Sequence, residues 1–193
     1  MYALSKTLGV LLLATLLTAF GSALAMWSET ININTYIHTG EVRVAFGGWT
    51  VNDNGPDPQC GCDDGSCYDN SEGKDVASII VTPEILDDQN NTIKLNITII
   101  NGYPGYFANI TFNVTNIGTI PVKLLNYTIT GVNTTALRVN LGIPKDTQIH
   151  PNENGTYTLS ICIKQAASEM TTYTFDISLT FAQWNEVPHN TRI

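Results

Sequence analysis

Positive charge is scarce in this chain. Its 193 residues include nine Lys and Arg against 17 Asp and Glu, which gives a formal net charge of −8. A protein so poor in basic residues has no patch that could neutralise phosphate groups. We therefore predict no nucleic-acid partner and no attraction to anionic lipid surfaces.

Catalytic signatures are also missing. The three histidines, His38, His150 and His189, are far apart, and none belongs to an H-E-x-x-H pair. The sequence has no G-x-S-x-G nucleophile elbow, no glycine-rich phosphate loop and no dinucleotide-binding fingerprint. We predict that the chain is not an enzyme and needs no cofactor, with calcium as the one exception considered below.

No charged residue occurs between Lys6 and Glu29. The apolar stretch between them ends in A-L-A at residues 23–25, which fits the cleavage pattern of a signal peptide. We predict a cleaved signal over 1–25, an extracellular mature protein and no membrane contact after cleavage. Two alternatives stay open, an uncleaved membrane anchor and a type IV pilin-like protein processed between Lys6 and Leu8.

Helical periodicity is nearly absent after this segment. Apolar and polar side chains alternate instead, in about nine or ten short segments with turn residues between them. The pattern predicts an all-β fold, an antiparallel jelly roll or β-sandwich, with residues 40–193 forming one domain. Within it, residues 47–75 are rich in Gly, Asp, Asn and Pro and are predicted to be a long surface loop.

Residues 26–39 form an alternating segment directly after the cleavage site. Its apolar side chains of one parity are Trp27, Ile31, Ile33 and Ile37. Exposed strand edges are usually protected by Lys, Pro or a bulge, and this segment has none of these. We predict a donor strand that pairs with another subunit through these four anchors. Pairing with its own domain is the alternative.

The four cysteines, Cys60, Cys62, Cys67 and Cys162, indicate an oxidising compartment. Three disulfide pairings are possible, and we expect one bond within the cluster of three and one from that cluster to Cys162. Zinc or an iron–sulfur cluster is less well supported, because no nearby histidine completes a ligand set.

Carboxylates are concentrated in the same loop. Asp53, Asp57, Asp63 and Asp64 offer the acidic, glycine-containing environment that calcium prefers, so they are weak candidate calcium ligands. No EF-hand spacing is present, and a solvated acidic loop is the alternative.

Glycosylation motifs are frequent. N-x-[ST] occurs seven times, more often than chance alone leads us to expect, which predicts a glycosylated exterior. The candidate sites are Asn90, Asn96, Asn109, Asn113, Asn126, Asn133 and Asn154. A glycan-binding role is a competing prediction, in which Trp49 or Trp184 would form the site of a monomeric adhesin, although such residues are also common core anchors.

Three sequence features stand out: the T-G-E-V turn after the first segment, the D-V-A-S strand and the stretch N-G-Y-P-G-Y…F-N-V-T-N-I-G-T-I-P-V-K. These features resemble the secreted fibre-forming family that includes bacterial TasA, camelysin and the archaeal bundling pilins. The likeness covers most of the mature chain and is strongest over residues 27–46 and 74–127.

The resemblance to the archaeal bundling pilins implies a jelly-roll subunit of a cell-surface pilus. Such subunits polymerise head to tail by donor-strand complementation, and the filaments bundle laterally and hold cells together in biofilms. Camelysin is described as a metallopeptidase, but this sequence has no zinc-binding helix, so we do not extend that activity to it.

Overall fold

A computed structural model describes residues 2–23, 29–59, 62 and 70–187. The helix α1 spans Tyr2–Ala23, within the predicted signal segment. Among the described residues, no helix combines the length and apolar character needed to cross a membrane. The chain divides into two units, Met1–His38 and Thr39–Ile193, and all the described strands belong to the second.

The second unit is an all-β sandwich of antiparallel sheets, which confirms the predicted fold class. The described strands are β1 (Val44–Val51), β2 (Ser78–Leu86), β3 (Thr92–Ile100), β4 (Phe107–Asn116), β5 (Val122–Thr130), β6 (Leu137–Gly142), β7 (Gln148–Ile149), β8 (Asn154–Ile163) and β9 (Asp176–Gln183). One layer is a four-stranded sheet in the order β1-β4-β8-β6. Two smaller sheets, β2-β3 and β7-β5-β9, pack with it.

Strand β4 occupies the centre of the four-stranded sheet, between β1 and β8. Its sequence alternates strictly, and the buried side chains of Ala108, Ile110, Phe112 and Val114 all point into the core. The Asn and Thr residues between them face outward. A period of two with one apolar face is the pattern of a strand that is buried on one side.

Tyr157 on β8 marks the middle of the core. Its ring stacks on Phe112 and meets the edge of Phe181, and the residue is fully buried. Its hydroxyl has no hydrogen-bond partner among the described residues, and burial raises the pKa of this phenol to about 12. The inner face of the four-stranded sheet is therefore apolar around this ring.

Strand β1 corrects one predicted boundary. Residues 47–51 were expected to begin the long loop, but β1 continues through them and pairs with β4 as far as Val51. The register shifts between Phe46 and Gly48, so a bulge accommodates the two glycines. The glycines at positions 47 and 48 therefore mark a bulge within β1, not the end of the strand.

Candidate strand-acceptor site

The predicted donor segment has no strand partner within the described part of the chain. Residues 29–43 lie outside every strand. The side chains of Ile31, Ile33 and Ile37 are 83%, 84% and 83% exposed. Three fully exposed isoleucines of one parity are apolar surface that this subunit leaves uncovered. Trp27, the fourth predicted anchor, lies outside the described residues.

Residues 39–43 form an anchor at the end of that segment. The backbone N–H of Glu41 donates to the Thr119 hydroxyl at 2.8 Å, and the Thr119 N–H donates back to the Glu41 carbonyl at 3.0 Å. The Arg43 carbonyl accepts from the N–H of Gly118 at 3.1 Å. The T-G-E-V turn and the N-I-G-T-I-P turn, two of the motifs that carry the family resemblance, therefore bind each other.

Asn116 holds the second of these turns in place. The residue is fully buried, and its Oδ1 accepts from the Gly118 N–H at 3.0 Å. Its Nδ2 donates to the carbonyls of Ile120 at 2.8 Å and Ile149 at 2.9 Å. A buried amide without hydrogen-bond partners is unfavourable, and all three of these hydrogen bonds depend on the position of the turn. Asn116 therefore fixes the turn that binds Glu41.

Arg43 ties the same anchor to the β2–β3 turn. Its guanidinium forms an ion pair with Asp87 and donates to Gln89 at 2.7 Å. The backbone N–H of Asn91, together with Arg43, lowers the pKa of the Asp87 carboxyl below its usual range. The anchor thus contacts two separate loops of the sandwich.

Gly118 allows the close approach of the two turns. A Cβ at this position would overlap the Glu41 carbonyl oxygen and lie 2.8 Å from the Arg43 nitrogen, both of which are backbone atoms. We expect Gly118→Ala to lower the free energy of unfolding by about 1–3 kcal/mol, because backbone must move. Chemical denaturation measures this change. In the matched control Gly48→Ala, the new methyl meets nothing within 4 Å, and equal destabilisation by both variants would contradict the account.

The layer opposite the four-stranded sheet is divided. Strands β2 and β3 pair only with each other, and β9 pairs only with β5, so each of these three strands has one edge with no partner among the described strands. Backbone N–H and C=O groups along such an edge can pair with an added strand. Strands β3 and β9 contain nine and eight residues, and the segment 30–37 contains eight.

Most core-facing side chains of this divided layer are only partly buried, the exceptions being Val122 and Leu124 on β5 and Ile149 on β7. In the other layer the core-facing side chains of β4 are all buried, and both layers contribute to one hydrophobic core. The partly buried set comprises Ile79, Val81, Ile97, Ile99, Tyr127, Ile129, Ile177 and Leu179. The second layer therefore covers its side of the core incompletely, and we call this set the acceptor surface.

The acidic loop brings together two of the four predicted calcium ligands. Carboxylate oxygens of Asp53, Asp57 and Asp75 all lie within 4.8 Å of one another. Asp57 is buried and accepts hydrogen bonds from the N–H groups of Val76 and Ala77. Asp57 therefore has a structural role in closing the loop.

Calcium binding at this cluster stays a prediction. Tyr103 also donates to Asp57, at 2.9 Å, and Tyr106 donates to Asp53 at 2.5 Å. Asp63 and Asp64 lie outside the described residues. Asp75 is not among the four ligands predicted from the sequence, because only the folded loop places it beside Asp53 and Asp57.

One disulfide joins the loop to the sandwich. Cys62 is bonded to Cys162, with 5.5 Å between their Cα atoms and 100 residues of separation. This confirms the expected bond from the cysteine cluster to Cys162. Cys60 and Cys67, the predicted partners within the cluster, lie outside the described residues.

The seven glycosylation candidates all lie at the surface or partly exposed. Asn109 and Asn113 are on β4, Asn154 begins β8, Asn96 is on β3 and Asn126 is on β5. The remaining two, at positions 90 and 133, lie outside the strands.

The two candidate tryptophans differ in burial. Trp49 is partly buried and packs against the core, so its ring is less available for binding sugars than the competing prediction requires. Trp184 is 43% exposed.

Comparison of the chain with protein-family models, characterised proteins and solved structures finds no match. These comparisons therefore leave the family resemblance as a prediction from sequence.

Proposed function

We propose that this protein is the structural subunit of an extracellular filament that assembles by donor-strand complementation. Residues 30–37 of one subunit add to the divided layer of the next, against the acceptor surface. The observation that carries the proposal is the coexistence, in one chain, of an uncovered apolar segment and an incompletely covered core. Each supplies what the other lacks.

Energetics favour this pairing. Burying Ile31, Ile33 and Ile37 contributes about 1.5–3 kcal/mol each, or roughly 5–9 kcal/mol before ordering of the segment is counted. Main-chain hydrogen bonds to a free strand edge add to this, and the alternate isoleucines set the register. Thr30, Asn32 and Asn34 have the opposite parity and would face solvent.

Head-to-tail pairing of this kind produces a polymer. The donor and acceptor are different surfaces of one subunit, so the contact is heterologous and need not close into a ring. In the proposal the filament is displayed at the cell surface, bundles laterally with others and supports adhesion between cells. This is the role implied by the resemblance to the jelly-roll pilins of the TasA-like family.

The deciding experiment compares a chain that begins at Met26 with one that begins at Thr39. The shorter form keeps the anchor at residues 39–43, so we expect it to fold, to remain monomeric by electron microscopy and to bind an added peptide of residues 26–38. The longer form should grow filaments. Filaments from the shorter form would refute the proposal. A longer form that stays monomeric would also refute it and would favour the adhesin function, with Trp184 as the residue to test.

A further inference from the structure

Among the described residues, two sets of asparagines differ in how they use their side-chain amides. An amide offers two hydrogens on Nδ2 and an acceptor oxygen, Oδ1. Five asparagines donate through Nδ2 to hold loops and turns, for example Asn116 to two carbonyls and Asn54 to the Val51 carbonyl at 2.8 Å. The five are Asn52, Asn54, Asn70, Asn91 and Asn116. None of them begins an N-x-[ST] motif.

The seven asparagines that do begin such a motif behave differently. Within the described part of the chain, none of them donates a hydrogen bond through Nδ2. Four of them accept through Oδ1 instead: Asn109, Asn113, Asn133 and Asn154. Nδ2 is the atom that an N-linked sugar substitutes. Every motif asparagine can therefore carry a glycan without losing a hydrogen bond of the fold.

Three of these asparagines lie on the outer face of the four-stranded sheet. Asn109 and Asn113 alternate along β4 with the buried Ile110 and Phe112, and Asn154 begins the adjacent β8. Each Oδ1 accepts from a hydroxyl on the facing strand, at 3.1 Å from Ser160, 2.9 Å from Thr156 and 2.6 Å from Thr115, respectively. These bonds orient the amides and leave Nδ2 unengaged.

Two of the motifs are linked reciprocally. Thr115, the hydroxyl residue of the Asn113 motif, donates to Asn154. Thr156, the hydroxyl residue of the Asn154 motif, donates to Asn113. The enzyme that transfers the sugar must engage both the amide and the hydroxyl of an extended motif. Once β4 and β8 pair, both hydroxyls are occupied and both motifs are fixed in the centre of a sheet.

We propose that the outer face of the four-stranded sheet carries N-linked glycans on Asn109, Asn113 and Asn154, attached before β4 and β8 pair. In the reaction, Nδ2 forms a bond to the anomeric carbon of a polyprenyl-phosphate-linked oligosaccharide. The bond from that carbon to the phosphate oxygen breaks, the polyprenyl phosphate leaves with the electron pair, and the amide proton passes to a base of the transferase. The inference does not depend on the proposed polymerisation.

Occupancy is tested by glycopeptide mass spectrometry on the protein purified from its own cells. We expect sugar on the peptides that contain Asn109, Asn113 and Asn154. The proposal is overturned if those peptides are bare, whether or not the loop sites Asn90 and Asn133 carry sugar.

The order of events is tested with unglycosylated chain, a purified oligosaccharyltransferase and a polyprenyl-linked oligosaccharide. The denatured chain should be modified at Asn113 and Asn154 at least tenfold faster than the folded chain. The loop site Asn133, where the Thr135 N–H rather than its hydroxyl bonds the amide oxygen, should show a much smaller difference. Equal rates for folded and denatured chain at Asn113 and Asn154 would overturn the order.

A variant expressed in the protein's own cells tests whether the Asn113 and Asn154 motifs are modified independently. Thr115→Val removes the hydroxyl of the Asn113 motif and also the bond to Asn154. Modification before strand pairing predicts loss of sugar at Asn113 alone, and the control Thr115→Ser should keep both sites. Altered occupancy at Asn154 in the Val variant would show that the transferase reads the paired strands, contrary to the proposal.

Discussion

Ile33→Asp is expected to abolish filament assembly while leaving the folded subunit intact. Ile33 is 84% exposed in the subunit, so the new carboxylate lies in water there. In the proposed filament it would be buried against the acceptor surface without a partner. Loss of the isoleucine side chain from the contact and burial of one charge together weaken binding between subunits by more than about 4 kcal/mol, or about a thousandfold in affinity.

The neighbouring residue provides the matched control. Asn34→Asp introduces the same side chain one position along, on the parity that would face solvent, so assembly should be nearly unchanged. Sedimentation and electron microscopy of both variants measure the outcome, with circular dichroism to confirm that each subunit is folded. If both substitutions impair assembly equally, or neither does, the segment does not pair as an alternating strand.

The second large effect concerns the disulfide between Cys62 and Cys162. A cross-link across 100 residues restricts the unfolded chain strongly, and its removal is expected to lower the free energy of unfolding by roughly 4–5 kcal/mol. In the double variant Cys62→Ser/Cys162→Ser, the urea midpoint should fall by about 2 M. Equilibrium unfolding followed by tryptophan fluorescence measures this shift.

Reduction of the unmodified protein is the control for that variant. Reductant should move the unmodified chain toward the variant's midpoint, because the same cross-link is lost. A variant that unfolds at the unmodified midpoint would mean that the loop and β8 are held together without the bond.

Local sequence was sufficient to predict most strands. Strand β4 illustrates this, since its strict alternation of Asn or Thr with Ile, Phe and Val can bury only one face. The extension of β1 to Val51 was missed because Gly47 and Gly48 have the composition of a turn, and only pairing with β4 reveals the bulge. Alternation also carries no information on strand partners, so the divided second layer could not be predicted.

The candidate site depended more on distant contacts. The isoleucines of the donor segment could be picked out from the sequence, but the anchor at residues 39–43 could not. It depends on a hydrogen bond from Asn116 to the Ile149 carbonyl, which supports the turn that binds Glu41. Likewise, cysteine spacing left three pairings open, and the fold brings Cys62 to β8. Contacts between residues this far apart follow from topology, which local patterns do not encode.

The most direct test of the central claim is hydrogen exchange measured on the monomer and on the filament. In the monomer, amides of residues 30–37 should exchange freely, as expected for a segment without strand partners. In the filament, the account predicts strong protection of those amides together with new protection along at least one of the unpaired edges of β2, β3 and β9. Residues 30–37 that remain unprotected in assembled filaments would contradict donor-strand complementation.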